Sequence, residues 1–154
     1  MDLESILGGG LLLGTYTPKL DDKSRLLLPA KFRDRFAPGL VMTRGQNRCV
    51  YLVPLDEFAK FYEKLKGALA TDPKGQDYLR VMLSGANDDV PDKQGRLSIP
   101  LHLREYAGLD RDVAVIGAGN IVEVWDRQAW DAYLAANETA YAEAGANTFP
   151  DLAF

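Results

Sequence analysis

Two stretches of this sequence set charged and polar residues at matching intervals: LDDKSRLLLPAKFR, from Leu20 to Arg33, and VPDKQGRLSIPLHLR, from Val90 to Arg104. In each, an Asp stands four residues before an Arg, Asp21 before Arg25 and Asp92 before Arg96, and a proline follows at Pro29 or Pro100. A guanidinium offers parallel N–H donors that match a phosphate, or the O6 and N7 edge of guanine. Lys23 and Arg25 therefore suit contact with nucleic acid from one turn, and Lys31, Arg33 and Arg35 suit it from the segment that follows. The second stretch keeps Arg96 and Arg104 but has Gln94 for Lys23, His102 for Lys31 and Tyr106 for Arg35, so the first copy is the better equipped. Each Asp–Arg pair also has a plainer reading, a local bond that holds its turn, and that reading weighs most at Arg96.

Other chemistry has little to work with. His102 and Cys49 are the only His and Cys, too few for a zinc site of the usual ligand sets. There is no GxxxxGK[ST] phosphate loop and no GxGxxG after a strand, and GAGN at Gly117 to Asn120 reads as a hairpin turn. Asp88, Asp89 and Asp92 lack the glycine and terminal glutamate of a calcium loop and read as a solvated acidic turn. The expectation is no catalysis, no metal and no cofactor.

The charge pattern supports a binding role. The chain has 154 residues and a formal net charge of −4. Between Tyr16 and Arg48, however, eight basic residues, Lys19 among them, face three acidic ones, while the remainder is acidic. Such an island can meet polyanions even in an acidic protein, or it can be a solvated face paired with the acidic remainder. A hydrophobic content of 47% supports a real core. No apolar run approaches the length of a membrane span, and one lone Cys in the apolar run CVYLV fits a buried position in a reducing, cytoplasmic setting.

The elements that must position the two stretches are themselves repeated. At an offset of 71 residues Arg25 meets Arg96, Leu26 meets Leu97, Pro29 meets Pro100 and Arg33 meets Arg104. Each copy predicts a short strand after a polar turn, then a helix opened by Pro29 or Pro100, with Phe32 and Phe36, or Leu103 and Ala107, four apart on one face. Extended runs at 40–43 and 49–53, and at 113–116 and 121–125, predict hairpins, and a helix closes each half. One such unit is too small to bury a core, so two complete a single α+β fold about a pseudo-twofold. The expected division is a flexible extension at 1–12, a first repeat at 13–69, a linker at 70–77, a second repeat at 78–135, and a helix end with a frayed tail at 136–154.

GTYTPKLDDKSRLLLPAKFR followed by SGANDDVPDKQGRLSIPLHLREYAGLDRDVAVIGAGNIVEVWDRQAW resembles the MraZ family of bacterial transcriptional regulators, which carry two tandem AbrB-like units. The resemblance covers about Leu13 to Tyr133 and implies a swapped-hairpin β-barrel flanked by helices, with subunits in a ring such as an octamer or dodecamer. It implies binding of double-stranded promoter DNA at direct repeats, at the nucleoid, with repression of the chain's own division and cell wall gene cluster. DNA contact maps to Lys23, Ser24 and Arg25, with Lys19, Lys31, Arg33 and Arg96 around them; Asp21, Asp92 and Gly95 shape the turns. Where the family has glycine this chain has Ser24, which would cost about 1 kcal/mol if the position needs a positive φ, and would shift the turn presenting Arg25. The alternatives are a ring-forming scaffold for protein partners and an AbrB-type antitoxin, the latter disfavoured by the presence of both units.

Overall fold

A polar turn, three extended residues and a proline begin the ordered core of each half. In the computed structural model, which describes residues 2–7, 10–69 and 71–152, the first half runs α1 (Leu3–Leu7), β1 (Leu12–Tyr16), β2 (Arg25–Leu27), α2 (Ala30–Phe36), β3 (Leu40–Arg44), β4 (Val50–Pro54) and α3 (Leu55–Leu69). The second runs α4 (Pro73–Gly85), β5 (Asn87–Asp89), β6 (Arg96–Ser98), α5 (Leu101–Ala107), β7 (Val113–Gly119), β8 (Val122–Asp126) and α6 (Arg127–Thr148). Pro29 and Pro100 sit one position earlier than expected: their extended ψ of 138° and 145° makes them the caps of α2 and α5. The anticipated faces are buried, Phe32 and Phe36 on α2, Leu103 and Ala107 on α5. Gly108, at φ 62°, closes α5 in the left-handed conformation that glycine adopts without steric cost.

The halves are interlocked rather than adjacent. One six-stranded antiparallel sheet has the order β1-β7-β8-β4-β3-β5, so each half's leading strand, β1 or β5, pairs with the hairpin of the other half. The hairpins β3–β4 and β7–β8 meet through β4 and β8, with Val50 opposite Val124 and Leu52 opposite Val122. That register is symmetric about the Tyr51–Glu123 pair. A separate two-stranded ribbon, β2–β6, pairs Arg25 with Ser98, Leu26 with Leu97 and Leu27 with Arg96, symmetric about Leu26–Leu97. The pseudo-twofold therefore passes through both pairs.

Alternation along the strands fills two cores. Leu12, Leu40, Met42, Val50, Leu52, Val113, Val115, Val122 and Val124 point to one face, where the inward residues of the ribbon, Leu26 and Leu97, and of α2 and α5 close over them. The expected barrel is thus a six-stranded sheet, open in its hydrogen bonding, with the ribbon laid across one face. On the opposite face Cys49, Ala114, Ile116 and Trp125 pack with Tyr51 and Trp130, and α3, α4 and α6 lie against that side of the hairpins. Cys49 is fully buried, and burial, with the Glu123 carboxylate second, pushes its thiol well above the ordinary range.

Three stretches differ from expectation. In the flexible extension, Leu3–Leu7 is helical and β1 starts at Leu12, while Met1, Gly8 and Gly9 lie outside the described residues. In the expected linker, Ala70 is likewise outside, but α4 already begins at Pro73: the Asp72 carboxylate accepts the Lys74 N–H at 2.9 Å, and Pro73 occupies a first-turn site that needs no donor. At the C-terminus α6 runs on to Thr148, favoured by its many alanines, with Ala153 and Phe154 outside the described residues. The acidic turn before Asp92 is in part the edge strand β5, its Asp88 and Asp89 side chains exposed.

Candidate nucleic-acid interface

Each Asp organises its turn through three bonds. Asp21 Oδ1 accepts from the backbone N–H of Lys23 and of Arg25, both at 2.9 Å, and Oδ2 accepts from Arg25 Nε at 2.7 Å. Asp92 repeats all three at the same distances with Gln94 and Arg96. The backbone N–H of Arg25, and then its guanidinium, hold the Asp21 carboxyl below the usual carboxylate range, and Arg96 does the same for Asp92. The local-bond reading of these pairs is therefore correct, but it uses only one of five guanidinium donors. Among the described residues the Nη groups of Arg25 and Arg96 have no protein partner, and the side chains are 26% and 31% exposed.

The turns also stitch the halves together. Leu28 N–H donates to Gly95 O at 2.9 Å, and Ile99 N–H donates to Ser24 O at 3.4 Å. Ser24 takes φ 59° and Gly95 φ 82°, so the position does require the left-handed region. Serine there costs about 1 kcal/mol. The anticipated displacement of the first turn does not occur, since Arg25 and Arg96 keep equal bonds.

The ribbon has a distinct outer face. Leu26 and Leu97 point into the core, so Arg25, Leu27, Arg96 and Ser98 point outward. Leu27 is 46% exposed and Ser98 is exposed. Sequence reasoning missed both residues as candidates. Inside Leu26-Leu27-Leu28 nothing marks the middle residue as outward, but its counterpart Ser98, polar between Leu97 and Ile99, carries the signal.

The remaining basic residues separate by partner. Lys23, at the turn tip, and Lys31, on α2, are exposed and have no side-chain partner among the described residues. Lys19 is exposed and lies 3.9 Å from Asp112. Arg33 is turned inward: its Nε donates to Leu28 O at 2.9 Å, as Arg104 Nε does to Ile99 O, and its stem packs on Gly95. Arg35, expected to face phosphates, is instead held by Asp56 at 2.9 Å and Glu57 at 3.7 Å on α3. His102 is exposed, its Nε2 3.0 Å from Gly85 O.

Fold and ribbon define a class: a tandem-repeat α+β protein whose halves share one sheet and present paired, Asp-anchored arginines. The family described as "MraZ protein, putative antitoxin-like" matches twice, over residues 11–80 and 82–151. A protein of Micrococcus luteus named transcriptional regulator MraZ is 55% identical over 140 residues, covering 91% of this chain and 98% of that protein. Its namesake in Kocuria rhizophila is 54% identical over 142 residues, covering 92% and 99%. The chain belongs to the MraZ family, whose named members are transcriptional regulators and not enzymes.

Proposed function

We propose that this chain is a sequence-specific DNA-binding transcriptional regulator that offers the β2–β6 ribbon to the major groove of promoter DNA. One observation carries the reading: Arg25 and Arg96 stand on the outer face of one ribbon, each fixed through Nε by an Asp, with Nη groups that have no partner among the described residues. A two-stranded ribbon fits the major groove, and an arginine held at Nε still presents two Nη groups end-on to guanine. Lys23 and Lys31, without side-chain partners among the described residues, add positive charge on the first-repeat side, where Lys19 and Ser24 flank the turn.

The finer assignments follow the family resemblance. The chain assembles as a ring, binds direct repeats upstream of its own division and cell wall gene cluster, and represses it at the nucleoid in the cytoplasm. A ring that repeats a weak ribbon contact along repeated DNA sites gains affinity by multivalency. Arg25→Ala is expected to weaken binding to the chain's own upstream DNA by about 1–3 kcal/mol per ribbon, with oligomer mass unchanged. Equal affinity of variant and parent in a mobility-shift titration would remove Arg25 from the contact.

A further inference from the structure

The outer face of the ribbon is chemically asymmetric although its backbone is not. Its four outward side chains form two rows, Arg25 opposite Ser98 and Leu27 opposite Arg96. The pseudo-twofold relates Arg25 to Arg96 and leaves Leu27 to correspond to Ser98. An isolated exposed leucine on a protein surface is ordinary. Leu27 differs from that background because, on the face that would meet base edges, it stands beside Arg25 along its strand and opposite Arg96 across the ribbon, 46% exposed, where each neighbouring outward residue is polar. Along a strand, Arg25 and Leu27 lie about 6.6 Å apart, close to two base-pair steps. Thymine alone presents an apolar group in the major groove, its 5-methyl, and apolar side chains recognise it there.

We infer that Leu27 reads a thymine 5-methyl group about two base-pair steps from the base contacted by Arg25, and that Ser98 leaves the other half of the ribbon without this contact. A single chain then reads a directional site, arginine with an apolar contact on one strand and arginine with a hydroxyl on the other. Such a reader suits repeats arranged head to tail rather than a palindrome. The inference rests on the ribbon being the DNA-binding face.

The test uses the full-length chain and DNA from directly upstream of its own gene, prepared once with thymine and once with uracil replacing every thymine. The two duplexes differ only in the 5-methyl group. The parent is expected to bind the uracil duplex more weakly by about fourfold for each engaged ribbon, the worth of one methyl group removed from water. Leu27→Ser, which copies the Ser98 half, is expected to bind both duplexes equally, at the same oligomer mass. Equal sensitivity of parent and variant to uracil places the effect in the DNA and overturns the inference, as does a parent indifferent to uracil. A changed oligomer mass in Leu27→Ser makes Leu27 a subunit contact and overturns it as well. A parent that binds neither duplex sinks the DNA-binding reading itself.

Discussion

The turn from Asp21 to Arg25 and the turn from Asp92 to Arg96 share their backbone bonds and their Asp–Arg distances, yet differ at nearly every side chain not needed for those bonds. Under the pseudo-twofold Lys23 corresponds to Gln94, Ser24 to Gly95 and Leu27 to Ser98. What stayed equal is what folds the chain: Asp, Arg, the buried Leu26 and Leu97, and the prolines that cap α2 and α5. From Asp22 to Leu27, what diverged faces outward, apart from the glycine position. At the ribbon's axis Leu26 packs against its own counterpart Leu97, so each constrains the other, while the exposed positions of the two turns answer to the ligand alone.

The strongest test of that division is at the axis. Leu26 and Leu97 are opposite each other, at 0% and 1% exposure, in the same core. Leu26→Ala and Leu97→Ala are each expected to cost about 2–5 kcal/mol, and to cost the same, in denaturant unfolding. Markedly unequal losses would mean that the two halves support the core differently.

The glycine position breaks the symmetry in a predictable direction. A Cβ on Gly95 would stand 2.9 Å from both Cδ and Nε of Arg33, which is itself bonded to Leu28 O. Gly95→Ser adds the left-handed penalty to displacement of that arginine and should cost about 1–3 kcal/mol. Ser24→Gly should instead raise stability by about 1 kcal/mol. Thermal and denaturant midpoints of the two exchanges check this; equal and opposite shifts would show that Arg33 yields freely.

Much of this was legible in the chain itself. The faces of α2 and α5 followed from Phe32, Phe36, Leu103 and Ala107, and both hairpins followed from apolar runs of strand length. β1 and β5 were not legible because their partners lie in the opposite half. LLGTY carries an exposed Leu13 and a Gly14 at φ 98°, and NDD has no apolar residue, so neither shows a period of two. DYLRVML, 77 to 83, reads as a short helix and lies within α4; the first turn of α4 was hidden because Asp72-Pro73 reads equally as a turn and as a cap followed by a first-turn proline. At the candidate site, spacing alone singled out Arg25 and Arg96, which the structure places together on the ribbon. That Arg35 is tied to α3 could not be, since Asp56 lies twenty-one residues away and only the packing of α2 beside α3 brings them together.

The smallest expected effect separates the copies by charge alone. Lys23 and Gln94 occupy equivalent turn tips, and the backbone N–H of each is bonded to the preceding Asp at 2.9 Å, so exchanging their side chains leaves the turns intact. If Lys23 meets a phosphate, Lys23→Gln removes one released counterion per engaged subunit, and the slope of log affinity against log salt should flatten by about one for each. Gln94→Lys should steepen it by a similar amount if the second turn lies as near the backbone as the first. Titrations of both variants at several salt concentrations, on the same upstream DNA, therefore measure each turn's distance from phosphate. Two responses of equal size would place the ribbon symmetrically over the groove and leave the division of labour between the halves to Leu27 and Ser98; a response from Lys23→Gln alone would tilt the ribbon toward the first repeat.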